Sequence, residues 1–289
     1  MISMQFWIIQ TLNSLALGGL LFLLAAGFSL IFGLMRIANL THGSLFMIGA
    51  YLGVTLLKVM PNFWLAALVT GLTTALIGGL LERLILRPLA GNALGQVLVT
   101  LGISFIVADF CLMVWGGDPI PLPTPPSLQR PLVVGSIAFP AYRLTVLGIA
   151  VLTAIGLHLL MEWTRLGAMI RAGVDDMQMA RAVGIPVSKL FTTVFCLGAA
   201  LAGAGGVIGG PIMSAYPGLD AVMLPLALIV VILGGVGSLL GAFVGSFVIA
   251  AIYTFGSALL PDLAYVILFL PMILVIAFRP RGLFGRMSA

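Results

Sequence analysis

What most constrains this chain is the near-continuity of its apolar runs. Stretches of about 20 residues, almost free of charge, recur at 8–35, 43–60, 63–81, 94–115, 144–163, 190–213, 221–235, 241–260 and 263–278. A helix rises about 1.5 Å per residue and pairs its own backbone polar groups, so runs of this length cross ~30 Å of hydrocarbon. The pattern predicts an all-α integral membrane protein, a polytopic bundle of about eight or nine transmembrane helices with the seventh short. Charged residues make up only 7% of the chain, against about a quarter in soluble domains. No shift in composition marks a second domain, so residues 1–289 read as one transmembrane unit.

Orientation follows from the basic residues, because Lys and Arg loops are retained on the cytoplasmic side. With the N-terminus outside and nine crossings, Arg36, Arg83, Arg87, Arg165, Arg171, Arg181, Lys189, Arg279, Arg281 and Arg286 are cytoplasmic, as is the C-terminus. Only Lys58, Arg130 and Arg143 of the thirteen basic residues then lie outside. No Lys or Arg precedes Arg36, so the first run lacks the basic start of a cleavable signal and reads as a retained span. The formal charge of +5 is thus a topological signal and not a nucleic-acid patch.

Two polar interruptions stand out. Residues 116–142 are rich in proline, which removes donors and clashes with the preceding helical turn, so they form an external loop. Residues 164–189 form the main cytoplasmic loop and contain RAGVDDMQMARAVGIPVSK. Its acidic pair, alanine-rich turn and Gly184 before Ile185 predict a short helix over 174–183 with an abrupt glycine stop. Such a helix has the shape of a docking knob.

Glycine is abundant, at 36 residues. Ala202, Gly206 and Gly210 recur every fourth residue, as do Gly241 and Gly245, giving flat ridges on which helices approach closely. The cluster LGGVGSLLG, with Gly234, Gly235, Gly237 and Ser238, lies between two spans. It reads either as a tight cytoplasmic turn or as unwound backbone lining a cavity. It is not a dinucleotide fingerprint, since Leu240 holds the third glycine's place. Nor is there a phosphate loop, because neither Lys58 nor Lys189 follows a glycine. Cys111 and Cys196 sit in apolar runs and imply neither a disulfide nor a metal site.

Ionisable residues at membrane depth are few. Asp109 is the only acid well inside a predicted span, where a carboxylate costs about 2.5 to 3.5 kcal/mol unless it finds a partner, water or a proton. Glu82, Arg83 and Arg87 read as interfacial anchors, and His158 with Glu162 as interfacial packing. His42 stands in NLTHG at the join of the first two spans, where a helix cap also calls for polar groups. Two histidines without an HExxH or GxSxG pattern supply no catalytic constellation, so the chain is not expected to be an enzyme.

Several stretches taken in order resemble the permease subunits of branched-chain, or hydrophobic, amino-acid ABC importers. They are SLIFGLMRIANLTHGSLFMIGAYLG, ERLILRPL, IRAGVDDMQMARAVGIPVSK, VILGGVGSLLGAFVGS and FRPRGLFG. The resemblance implies a single permease domain that pairs with a second homologous permease, two ATP-binding subunits and an extracytoplasmic solute-binding protein. It would sit in lipid in a bacterial cytoplasmic membrane, engaging no nucleic acid. No cofactor is expected on this chain, with ATP and Mg on the partner subunits. Asp175, Asp176, Met179, Ala180, Ala182, Gly184 and Ile185 would couple to the ATPases. Where the broader loop pattern has Glu-Ala-Ala, this chain has Met179, Ala180 and Arg181, and Asp176 is taken in the glutamate's place. Expected path residues are Asn39, His42, Gly43, Asp109, Gly234, Gly235, Gly237 and Ser238. The alternative is an ion- or proton-coupled secondary carrier acting alone, with Asp109 as its coupling site.

The charge split makes a direct prediction. In a background lacking Cys111 and Cys196, Ser127→Cys should react with an impermeant thiol reagent in intact cells and Ser188→Cys only after permeabilisation. The reverse pattern contradicts the orientation.

Overall fold

The computed structural model describes residues 4–35, 39–134, 137–279 and 282–284. Nine apolar helices occupy the predicted runs: α1 (Met4–Met35), α2 (Thr41–Val59), α3 (Phe63–Leu81), α4 (Ala93–Trp115), α5 (Ala141–Trp163), α8 (Val187–Met213), α9 (Leu219–Gly234), α10 (Leu239–Leu259) and α11 (Ala264–Phe278). Seven of them are long and apolar enough to cross a membrane. α9 and α11, at 16 and 15 residues, reach only about 24 and 22 Å. The chain is therefore a polytopic helical membrane protein. Arg36, Arg281 and Arg286, used above to orient it, lie outside the described residues.

Small residues on α8 set the packing. Gly198 meets Gly27 of α1, Gly203 meets Gly49 of α2 and Thr74 of α3, and Gly206 lies against the Phe46 carbonyl of α2. A Cβ added to Gly27 would stand 2.6 Å from the Gly198 carbonyl oxygen, a distance no carbon tolerates. Backbones approach this closely only where side chains are absent, and in lipid that contact supplies the attraction water cannot. Ala202, Gly206 and Gly210 are all buried along this ridge, and Gly241 of α10 lies against Gly234 of α9.

The proline-rich loop folds back onto the bundle. It holds a short 3-10 turn (Pro126–Leu128) and an antiparallel hairpin of β1 (Pro131–Val134) and β2 (Ile137–Pro140). Ile120 exchanges two backbone hydrogen bonds with Ala215, at 2.8 and 2.9 Å, beyond the end of α8. Leu122 wedges between Gly53 and Gly210.

Segment 164–189 departs from expectation. In place of one helix over 174–183 there are two, α6 (Arg165–Asp175) and α7 (Met177–Ala182), broken at an extended Asp176. The Asp176 carboxylate accepts from the Gln178 and Met179 amides at 2.9 and 3.0 Å. An aspartate that caps the following helix cannot also continue the preceding one. Gly184, at φ +86°, ends the segment as predicted.

Gly206→Ala should therefore push α2 off α8 and destabilise the protein by about 1–3 kcal/mol. Gly148→Ala, where an added Cβ meets nothing within 4 Å, should leave the melting temperature unchanged. Equal melting temperatures for both variants in detergent would contradict this packing.

Candidate functional site

The predicted site residues fall into separate groups. Asn39, His42 and Gly43 gather where α2 begins, and that start lies inside the bundle. His42 Nε2 is 3.0 Å from the carbonyl of Leu24, which is eleven residues before the end of α1, or about 16 Å along its axis. Backbone that starts a helix at this depth must have its donors satisfied by protein. Asn39 Oδ1 accepts from the Thr41 amide and hydroxyl, and the Leu40 amide donates to Thr100 Oγ1 of α4 at 3.3 Å. Gly43 admits α9, since a Cβ there would sit 2.8 Å from Leu224 Cβ.

Directly beside them is an acid absent from the sequence-based expectations. Asp220, in the first turn of α9, is buried and accepts a hydrogen bond from Ser44 Oγ at 3.0 Å. It stands one residue before the predicted span 221–235, where an acid reads as an ordinary helix-start charge. Its burial comes from α2 packing over it, which no local pattern encodes. Asp109, by contrast, is exposed on α4, on a different face from fully buried Cys111 two residues on.

Gly234, Gly235, Gly237 and Ser238 form the compact turn between α9 and α10, so the structure takes the tight-turn form of the two readings. Gly235 and Gly237 adopt φ of +101° and +76°, and Ser238 caps α10 by accepting from the Gly241 amide. The turn packs on Gly33 near the end of α1. Gly33 lies nine residues from Leu24, about 14 Å along the axis, so the turn and the His42 cluster are distinct places. The Leu283 and Phe284 amides donate to the carbonyls of Leu233 and Gly234, fastening the C-terminal segment there.

Glu82 is no solvated anchor. It begins a single π turn (Glu82–Leu86) that prolongs α3, closed by Arg87 N to Glu82 O at 2.8 Å. The Glu82 side chain is fully buried, paired with Arg87 at 2.8 Å and accepting from Thr192 Oγ1 at 2.8 Å. Arg87 also donates to the Ser188 carbonyl. This network ties the end of α3 to the first two turns of α8, next to segment 164–189.

In that segment Asp175, Asp176, Met179, Ala182 and Gly184 are exposed, Ile185 is half-buried and Ala180 is buried against its own chain. Met179 and the neighbouring Val183 project 60% and 68% exposed, an apolar pair on a short capped helix. Met35, Gly173 and Asp176 help line a cleft of about 320 Å³ at its base.

The description "Branched-chain amino acid transport system / permease component" belongs to the family whose model matches residues 10–276. The high-affinity branched-chain amino acid transport system permease protein BraD of Pseudomonas aeruginosa is 29% identical, over 96% of this chain and 95% of its own length. LivH of Salmonella typhimurium, with the same description, is 27% identical over the same shares. The probable branched-chain amino acid transport permease protein LivH of Methanocaldococcus jannaschii is 27% identical, over 80% of this chain and 75% of its own. No solved structure matches the chain.

Removing one partner from a buried ion pair costs about 3–5 kcal/mol, and Arg87 is about a third exposed, so Arg87→Met should cost near the lower figure. The double variant Glu82→Gln/Arg87→Met should recover most of the loss in thermal unfolding. A single variant as stable as the wild type would contradict the network.

Proposed function

The chain belongs to the family of branched-chain amino-acid transport-system permeases, and from that premise we propose that it is the membrane subunit of an ATP-driven importer. Its substrates are branched-chain or hydrophobic amino acids or related small organic solutes, and it sits in the cytoplasmic membrane with its N-terminus outside. It works with a second homologous permease, two ATP-binding subunits that hold ATP and Mg, and an extracytoplasmic solute-binding protein. This chain binds no cofactor of its own.

The observation that carries the coupling role is α7. It is six residues long, too short to be stable alone, yet it is capped by Asp176, stopped by Gly184 and anchored by buried Ala180. Rigid mounting of an exposed Met179–Ala182–Val183 edge serves a surface that must transmit displacement. The docking assignment therefore narrows to Asp175, Asp176, Met179, Ala182, Gly184 and Ile185, with Ala180 as the inward anchor. Motion of this edge reaches the bundle through α8, whose first turn is held by Arg87 and Glu82. The solute path runs by the buried start of α2, where Asn39, His42 and Gly43 meet Ser44 and Asp220. The turn at Gly234, Gly235, Gly237 and Ser238 forms its cytoplasmic border.

The outward face of Asp109 speaks against a lone proton-coupled carrier, whose titrating group would need a wet interior. Ala182→Glu in the reconstituted complex should leave the permease inserted but cut uptake per ATP hydrolysed at least tenfold. Asp109→Asn should retain ATP-driven accumulation. Uptake driven by an ion gradient in vesicles holding this chain alone, and lost in Asp109→Asn, would overturn the reading.

A further inference from the structure

Where α2 starts, two amide side chains each leave one group uncommitted. Asn39 and Gln96 are 2% and 1% exposed. Asn39 spends its oxygen on Thr41, and Gln96 spends its nitrogen on the Leu86 carbonyl at 2.8 Å. These bonds fix which end of each amide points where. What remains is one donor, Asn39 Nδ2, and one acceptor, Gln96 Oε1, and neither has a partner among the described residues.

Both side chains line the same small cavity, with Ile31, Met35, Leu86, Thr100 and Phe195. The register of the neighbouring contact explains why they converge. Leu40 N is bonded to Thr100 Oγ1, and Gln96 lies one helical turn before Thr100 on the same face of α4, so Asn39 comes opposite Gln96. The cavity leaves about 10 Å³ for the centre of a water molecule, which is about the space a single water needs. A buried donor and a buried acceptor that each lack a partner are costly, and a water satisfies one of each sign at once.

We propose that one ordered water molecule is bound here, accepting from Asn39 Nδ2 and donating to Gln96 Oε1, and that it joins the membrane-embedded start of α2 to α4. Among the described lining residues, the hydroxyl oxygen of Thr100 is the remaining polar side-chain neighbour for its second proton. The joint is local to the bundle and independent of the substrate assigned above.

Electron microscopy of the intact complex at a resolution that shows waters should reveal one spherical peak within hydrogen-bond distance of both amides. A direct Asn39–Gln96 bond, a dry cavity or an elongated density would each overturn the proposal. A double-mutant cycle supplies the second reading, with Asn39→Leu, Gln96→Met and their combination compared by thermal unfolding in detergent. Loss of the Thr41 cap and of the Leu86 bond occurs equally in single and double variants and cancels from the coupling. Each single variant should lower the melting temperature, and the pair should lose clearly less than the two shifts added. Additive shifts would overturn the proposal as well.

Discussion

Everything in this bundle depends on how closely α8 lets its neighbours approach. In lipid there is no hydrophobic gain in bringing two apolar helices together, so cohesion comes from dense packing and from hydrogen bonds. α8 answers with glycine and alanine on the sides that face α1, α2 and α3. The Gly27–Gly198 and Gly49–Gly203 contacts put backbone against backbone. Among the described residues α4 makes no such contact with α8, while α5 packs its backbone on Gly19 of α1. They expose Leu98, Phe105, Ile106, Leu152 and Ile155, surfaces suited to lipid or a neighbouring subunit.

That close packing makes room for what is otherwise forbidden, a helix beginning inside the membrane. The His42 ring at the start of α2 reaches the Leu24 carbonyl, some 16 Å short of the end of α1, and the first backbone donors there are met by the Asn39 side chain and carbonyl and by Thr100 Oγ1. The polar residues gathered there come from the 39–40 segment, α2, α4 and α9, and α2, which joins them, is packed against both α8 and α9. The same logic operates at the end of the bundle where α3 meets α8. There the π turn diverts Glu82 inward to Arg87 and Thr192, so that the first turn of α8 is bound to α3 by charge as well as by shape. Single π turns within helices are frequent at functional sites.

Helix positions were legible because hydropathy reports them directly: the run 63–81 coincides with α3, and the others differ by three residues or fewer at all ends but one, where α1 begins four residues earlier. Faces were not legible. Glu82 reads as interfacial beside Arg83, and only the π turn, invisible in the residue types, rotates it into the core. Asp220 was passed over because it borders a span, while Asp109 drew attention because it lies within one; burial reverses their standing. Segment 164–189 is legible as polar and stopped by Gly184. Its division at Asp176 was missed, because an acidic pair is compatible with a helix start at either residue. The small-residue ridges were legible, since their four-residue spacing is itself the contact geometry.

The central claim is that the α7 edge meets an ATP-hydrolysing partner. A photo-crosslinking amino acid in place of Ala182, activated in native membranes and followed by mass spectrometry of the product, tests it most directly. The account predicts a cross-link to a chain that carries a Gly-Lys-Ser or Gly-Lys-Thr phosphate loop. Cross-links confined to lipid or to this chain's own residues would contradict it.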